Sequence, residues 1–396
     1  MDAIEELLTR GVENIIPDKE KLRKLLMSDR KLNVYLGIDP TATKIHIGHA
    51  VPLRKLNAFA QLGHNVTFLI GDFTALIGDT SDKESERPVL TSAIIEENFQ
   101  TYKQQAQKIL DFSKVKVRHN SEWLKKLAFE DIIRLAYHFS AGDFYSRELI
   151  KKRLTEGLHV GLHELLYPVM QGYDSYFMDT DIQIGGTDQT FNMQAGRVLQ
   201  KDLRNKESFI IANGFLEGTD GRKMSKTWNN AIWLTDEPNE MFAKVMSLRD
   251  ELIVEYFTLA TSASMEDVAD VKKRLVAGEN PMTIKIELAH QLVTELHSKT
   301  LADAAQKDFG VRFQKGDLTQ ANLPTISLPP TLSSGATIIE AMMEGNMAES
   351  RSEARQLVKQ KAVKLNDTLV TVPSEIHTFK TGDIIKVGRK AVKIKK

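Results

Sequence analysis

Cysteine is absent from all 396 residues, and that removes disulfides, cysteine zinc sites and thiol catalysis at once. No apolar run approaches the ~18 residues needed to span a bilayer, so no membrane role is expected. The first residues, Met1 to Leu8, are acidic and amphipathic. They lack the basic start and apolar core of a signal peptide, which makes a cytoplasmic protein the expectation. No Gly-x-Gly-x-x-Gly follows the first expected strand, so the usual dinucleotide fingerprint is missing. No metal-ligand cluster stands out, and no structural metal is expected. Internal repeats and low-complexity tracts are also lacking. Net charge is zero, but the balance hides an asymmetry. Residues 351–396 hold 12 Lys and Arg against 4 Asp and Glu, which leaves 41 against 49 on the rest. A basic tail on an acidic body suggests a polyanionic partner.

What is present fits a soluble chain of two or three domains. Strands are expected at residues 33–38, 66–71, 114–118, 182–184 and 209–211. Helices are expected at 51–62 and 96–112. Strands separated by helical stretches indicate a parallel α/β sheet, a Rossmann-like catalytic domain over residues 1–229. Residues 230–322 read as an α-helical domain, with 282–296 its clearest helix. The run at 323–336 is rich in proline and serine and reads as a linker. Residues 337–396 read as a small α+β domain. Ser350-Arg351-Ser352-Glu353 has capping-box form, a hairpin turns at Asn366-Asp367, and strands follow at 384–387 and 392–394.

Two motifs carry chemistry. His46-Ile47-Gly48-His49 lies where a loop enters a helix, just after Asp39-Pro40-Thr41 closes a strand. Such an edge of an open α/β sheet receives ligands. A helix N-terminus suits phosphate, Gly48 permits close approach, and imidazole and hydroxyl groups donate hydrogen bonds. The second motif is Lys223-Met224-Ser225-Lys226-Thr227, preceded by Gly218 and Gly221. Its lysines are compact movable charges able to follow charge onto a leaving group. The blander readings are a capping turn with two surface histidines, and an exposed basic turn.

Together, in this order, the motifs resemble the two signatures of class I aminoacyl-tRNA synthetases. Four further segments resemble the bacterial-type tyrosyl-tRNA synthetases: residues 35–41, 77–83, 167–174 and 183–189. Residues 337–396 resemble an S4-type RNA-binding domain, which tyrosyl members carry and tryptophanyl ones usually do not. The resemblance implies that Tyr35 and Asp174 meet a phenol hydroxyl, that Asp79, Tyr167 and Gln171 hold an α-ammonium, and that Gln189 faces the carboxylate. It implies that Asp188 binds ribose and Asp39 lies between amino acid and nucleotide. Thr41, His46, Gly48, His49, Gly186, Lys223, Met224, Ser225, Lys226 and Thr227 would contact ATP, with Lys83 and Arg87 assisting at the pyrophosphate. Leu36 stands where some members have a cysteine that touches ribose. Thr227 stands where serine is usual and keeps the hydroxyl.

The residues agree with this on their own terms. Tyr167, Gln171 and Asp174 share one face if helical. A carboxylate kept for a hydroxyl is left unpaired by phenylalanine, though it could also accept an indole N–H, so the tryptophanyl enzymes stay open on chemistry alone; the Tyr35–Asp174 pairing and the C-terminal domain argue against them. The blander readings of these side chains are aromatic core and a structural cap. In the tail, Arg351, Arg355, Lys359, Lys361 and Lys364 alternate with apolar residues and would meet the phosphates of a folded tRNA rather than DNA. The implied partners are L-tyrosine, ATP with Mg²⁺, tRNA(Tyr) and a second copy of the chain. The homodimer interface would lie near residues 120–160; the apolar positions Leu135, Phe139 and Phe144 fit that and equally fit an ordinary core. An RNA-binding scaffold without catalysis, and a different nucleotidylyltransferase, are the competing readings.

Overall fold

The computed structural model describes residues 2–78, 90–225, 227–311, 323–329, 335–388 and 390–395. They divide into two compact units, Met1–Asp303 and Ala304–Lys396. Helical residues 230–303 belong with the sheet in the first unit and do not cluster apart from it.

The first unit is built on six strands: β1 (Val12–Ile16), β2 (Asn33–Ile38), β3 (Asn65–Ile70), β4 (Val115–His119), β5 (Ile182–Gly186) and β6 (Phe209–Asn213). Their order is β1-β6-β5-β2-β3-β4. All neighbours run parallel except β1, which lies antiparallel on β6. The parallel strands are mostly Val, Ile, Leu and Phe, and β6 is buried throughout, as a sheet covered on both faces requires. The chain leaves β2 toward β3 and β4 on one side and returns to β5 and β6 on the other. That reversal between β2 and β5 opens a crevice at their carboxyl ends.

Two helices shape the crevice. Ile47–Gln61 begins four residues earlier than its apolar pattern suggests. No side-chain cap marks that start. It is set by tertiary pairing, with the Ile47 N–H donating to the Ile232 carbonyl at 2.8 Å. Leu162–Phe177 is helical throughout, and the Glu164 carboxylate accepts from the Gly161 N–H at its start. Strand β1 escaped the sequence reading because Val-Glu-Asn-Ile-Ile neither alternates nor forms a continuous apolar run. No described helix is long and apolar enough to cross a membrane.

The second unit holds β7 (Thr325–Ser327), β8 (Ala336–Thr337), β9 (Val363–Leu365), β10 (Thr368–Leu369), β11 (Ile376–His377), β12 (Ile384–Val387) and β13 (Lys390–Lys395). Five of them form a sheet in the order β10-β9-β12-β13-β7. The stretch read as a linker therefore contributes a strand, with Leu323 and Leu328 buried beside it. The hairpin turn falls where expected: Asn366 and Asp367 both have positive φ, 46° and 62°, the conformation of a tight two-residue turn. The helix Arg351–Lys359 buries Ala354 and Val358 and leaves Arg351, Arg355 and Lys359 exposed. Lys361 and Lys364 are exposed beyond it.

Candidate active site

The crevice between β2 and β5 holds a cavity of about 260 Å³. Its wall includes Tyr35, Asp39, Thr41, His49, Tyr167, Gln171, Asp174, Asp188 and Gln189. Nine of the expected site residues, from four separate segments, thus meet around one space.

Its floor is polar and buried. Tyr35 on β2 and Gln183 on β5 are in register, so their side chains leave the sheet together. The Tyr35 hydroxyl donates to Gln183 Oε1 at 3.0 Å, and Gln183 Nε2 donates to the Met193 carbonyl at 2.9 Å. Asp174 is 2% exposed. It accepts from Trp123 Nε1 at 2.7 Å and from Asn120 Nδ2 at 3.1 Å. Burial pushes its carboxyl up to about 8, against the pull of those two donors and with Asp39 and Asp72 adding to the rise. Burial, then the Asp174 charge, also raises the Tyr35 hydroxyl well above the usual phenol range. An acid and a phenol that line the same cavity suit a ligand bearing a small polar group.

Higher up, the Tyr167 hydroxyl donates to Asp39 Oδ2 at 2.9 Å, and the Thr74 hydroxyl donates to Asp39 Oδ1 at 2.8 Å. A Cβ on Gly71 would fall 2.0 Å from Asp39 Oδ1 and 2.4 Å from Thr74 Oγ1, so a side chain there would displace that hydrogen-bonded pair. At the mouth the His46 and His49 rings lie 3.9 Å apart. His46 is pushed down to about 2 by burial, then by His49 and Lys223. A neutral imidazole offers one N–H and one acceptor. A Cβ on Gly48 would meet the His46 ring at 2.9 Å and Met224 Sδ at 3.6 Å.

The lysine motif reaches this mouth through the backbone. His46 and Trp233 form an antiparallel bridge. The Leu234 N–H donates to the Ile45 carbonyl at 3.0 Å, alongside the Ile47–Ile232 bond. Two segments almost 190 residues apart are thereby stitched edge to edge. His46, Gly48, Gly186, Lys223, Met224, Ser225 and Thr227 sit outside the cavity wall. The first two are the neighbours of His49, and Gly186 precedes Asp188 at the end of β5. Asp79, Lys83, Arg87 and Lys226 lie outside the described residues.

Sequence reasoning missed Thr74, Asn120, Trp123, Gln183 and Asn230, which hold others in place. Each is a polar or indole group with no spacing that assigns it a role; Asn120, directly after β4, and Gln183, which opens the segment 183–189, had positional hints. Leu135 and Phe144 are core residues, buried with Val169 and Leu199, and Phe139 packs against them, so none of the three forms an exposed interface. A larger cavity, about 450 Å³, lies elsewhere in the first unit beside Leu7, Val51, Lys55 and Leu259 and contains none of the motif residues. Lys55 is buried there, donating to the Leu7 and Arg10 carbonyls.

Comparison with known proteins follows the same lines. The sequence profile of the family described as "tRNA synthetases class I (W and Y)" matches residues 27–314, and that of the S4 domain matches residues 346–385. "Tyrosine--tRNA ligase 2" of Vibrio cholerae is 44% identical over 360 residues, covering 91% of this chain and 90% of that one. "Tyrosine--tRNA ligase" of Carboxydothermus hydrogenoformans is 42% identical over 391 residues, 95% of each chain. The fold is shared with a C-terminally truncated Aspergillus nidulans mitochondrial tyrosyl-tRNA synthetase (TM-score 0.66, 21% identity, 78% of this chain and 94% of that). It is also shared with the Archaeoglobus fulgidus tyrosyl-tRNA synthetase solved with L-tyrosine (TM-score 0.61, 22% identity, 77% and 100%).

Proposed function

The chain belongs to the class I tRNA synthetases of the tryptophan and tyrosine group, and from that premise we propose that it is a tyrosine–tRNA ligase acting in protein synthesis. The carboxylate of L-tyrosine attacks the α-phosphate of ATP, and pyrophosphate leaves. A ribose hydroxyl at the 3′ end of tRNA(Tyr) then attacks the carbonyl of tyrosyl-adenylate, and AMP leaves. No protein nucleophile is required. Positioning and charge stabilisation supply the rate.

The cavity floor supports tyrosine over phenylalanine, and the relatives named tyrosine–tRNA ligase support tyrosine over tryptophan. Asp174 already accepts the chain's own indole N–H from Trp123, so its surroundings are built rather than accidental. Together with Tyr35 it lines the cavity with polar atoms that a phenol hydroxyl can hydrogen-bond and a phenyl group cannot. The α-ammonium would meet Asp79, Tyr167 and Gln171, and the carboxylate side Gln189. Asp188 would take ribose hydroxyls. Thr41, neutral His46 and His49, and the lysine loop would take the phosphates, with Lys83 and Arg87 assisting. Among the described residues no cluster of three His, Asp or Glu is set to hold a metal. Mg²⁺ would enter with ATP as part of the substrate, bound mainly by phosphate and water. The exposed basic residues Arg351, Arg355, Lys359, Lys361 and Lys364 would face tRNA phosphates.

A homodimer in the cytoplasm completes the reading. Phe129, Ile133 and Tyr137 are 77%, 57% and 90% exposed on and just after one short helix, an apolar grouping that suits burial against a second copy. Exchange of labelled pyrophosphate into ATP, run with each of the twenty amino acids, tests the activity. Exchange with tyrosine alone is expected. Binding of tRNA without any exchange would instead leave an RNA-binding scaffold.

A further inference from the structure

Asn230 lies three residues beyond the lysine motif and is 2% exposed. Its carboxamide uses both ends. Oδ1 accepts from the Ser225 N–H at 2.8 Å. Nδ2 donates to Asp220 Oδ1 at 2.7 Å and to the Lys223 carbonyl at 3.2 Å, with the Arg222 carbonyl at 3.5 Å. A backbone N–H on one side and three oxygens on the other leave only one orientation for the amide. Its own carbonyl accepts from the Thr219 N–H at 2.9 Å. One residue therefore grips both strands of the loop, 219–220 and 222–225. The residues that follow it, Ile232 to Leu234, are the ones stitched to Ile45–Ile47.

The surroundings are shaped for this amide. A Cβ on Gly218 would fall 2.4 Å from Asn230 Nδ2, so only glycine lets the carboxamide in. Asp220 is held well below the usual carboxylate range by Arg222 first and Asn230 second. On the outer side the Arg222 guanidinium lies over the Trp228 ring at 4.4 Å.

The geometry points to Asn230 as a positioning residue for adenylate formation: its amide fixes the loop backbone at Lys223–Ser225 relative to the histidine motif, and with it the position from which the Lys223 side chain acts. This rests on the activity proposed above. Aspartate cannot replace it, because a carboxylate has no N–H and would face Asp220. Asparagine is the smallest side chain that both accepts from Ser225 and donates to Asp220 and Lys223.

The test uses the full chain, with three readouts: the single-turnover rate of tyrosyl-adenylate formation, tyrosine affinity by equilibrium dialysis, and melting temperature. Asn230→Asp is expected to slow adenylate formation about 10- to 100-fold, the scale of a small misplacement in a reacting site. Tyrosine affinity should stay within about two-fold, because the floor of the cavity is untouched. Gly218→Ala, which pushes the amide aside without altering it, should reproduce that split. A fast Asn230→Asp enzyme, or an equal loss of tyrosine affinity, would overturn the positioning role. Wild type run in parallel separates the two readings. If wild type forms no tyrosyl-adenylate, the activity itself is wrong; if wild type is active and the variants behave as it does, only the role of Asn230 fails.

Discussion

Asp174 and His46 show how burial sets the charge of single groups. The Asp174 carboxyl sits at about 8 in the folded chain against 3.8 ordinarily. A raised carboxyl favours the folded state below about pH 4, and that contribution is lost as pH climbs through about 8. Asp174→Asn removes this titration. Urea unfolding at pH 5, 7 and 9 should show the variant gaining on wild type at each step; a constant difference would contradict the burial argument. The same variant should lose its preference for tyrosine over phenylalanine in pyrophosphate exchange. His46 runs the other way, from 6.5 down to about 2. Its stability contribution is present above about pH 6.5 and fades as the pH falls below that value. His46→Asn should therefore unfold less readily than wild type on acidification from pH 7 to pH 4, relative to their difference at pH 7. An unchanged acid limb in circular dichroism would show that the ring is not kept neutral.

Among the elements, the crossing of helices Leu162–Phe177 and Thr190–Arg204 fixes the cavity floor. A Cβ on Gly172 would lie 3.1 Å from the Ala195 carbonyl carbon, and one on Gly196 would lie 2.7 Å from Ser175 Cβ and 2.8 Å from Gln183 Oε1. Alanine at 196 gains up to about 1 kcal/mol in helix propensity. Overpacking should outweigh it, for a net loss of about 1–3 kcal/mol in denaturant unfolding. Tyrosine affinity should fall as well, because Gln183 is the acceptor for Tyr35; a variant more stable than wild type would refute the packing account. These elements were partly legible beforehand. Long apolar strands such as β2 and β3 and the spacing of Tyr167, Gln171 and Asp174 are local signals, and those three residues do line one cavity. What held them there was not legible. Asn120, Trp123 and Gln183 come from other segments, and their contacts depend on sheet register and helix crossing. β7 was hidden because Thr-Ile-Ser between prolines looks like a tether, and only its parallel partner β13 makes it a strand.

For the whole molecule, the division near residue 303 changes how the chain is best cut. A break at 337 would leave β7 and two buried leucines without their sheet. A chain ending at residue 311 keeps the helix Lys299–Phe309 whole. It should retain tyrosine-dependent exchange while charging tRNA(Tyr) at least about tenfold more slowly, since the basic residues that would hold phosphates are gone. Equal charging by the short chain would take the tail out of tRNA binding. Replacing Phe129 and Tyr137 by aspartate should shift sedimentation from dimer to monomer; a monomeric wild type would remove the second copy from the reading. The chain has three tryptophans, and each contacts a residue of the candidate site or of the lysine loop. Trp123 donates to the buried acid, Trp228 lies over Arg222 in the lysine loop, and Trp233 meets the His46 ring edge-on at 5.8 Å. Intrinsic fluorescence of this protein is therefore a built-in optical probe of the cleft. Single tryptophan-to-phenylalanine replacements would assign each colour change to the floor, the loop or the mouth, with no dye attached.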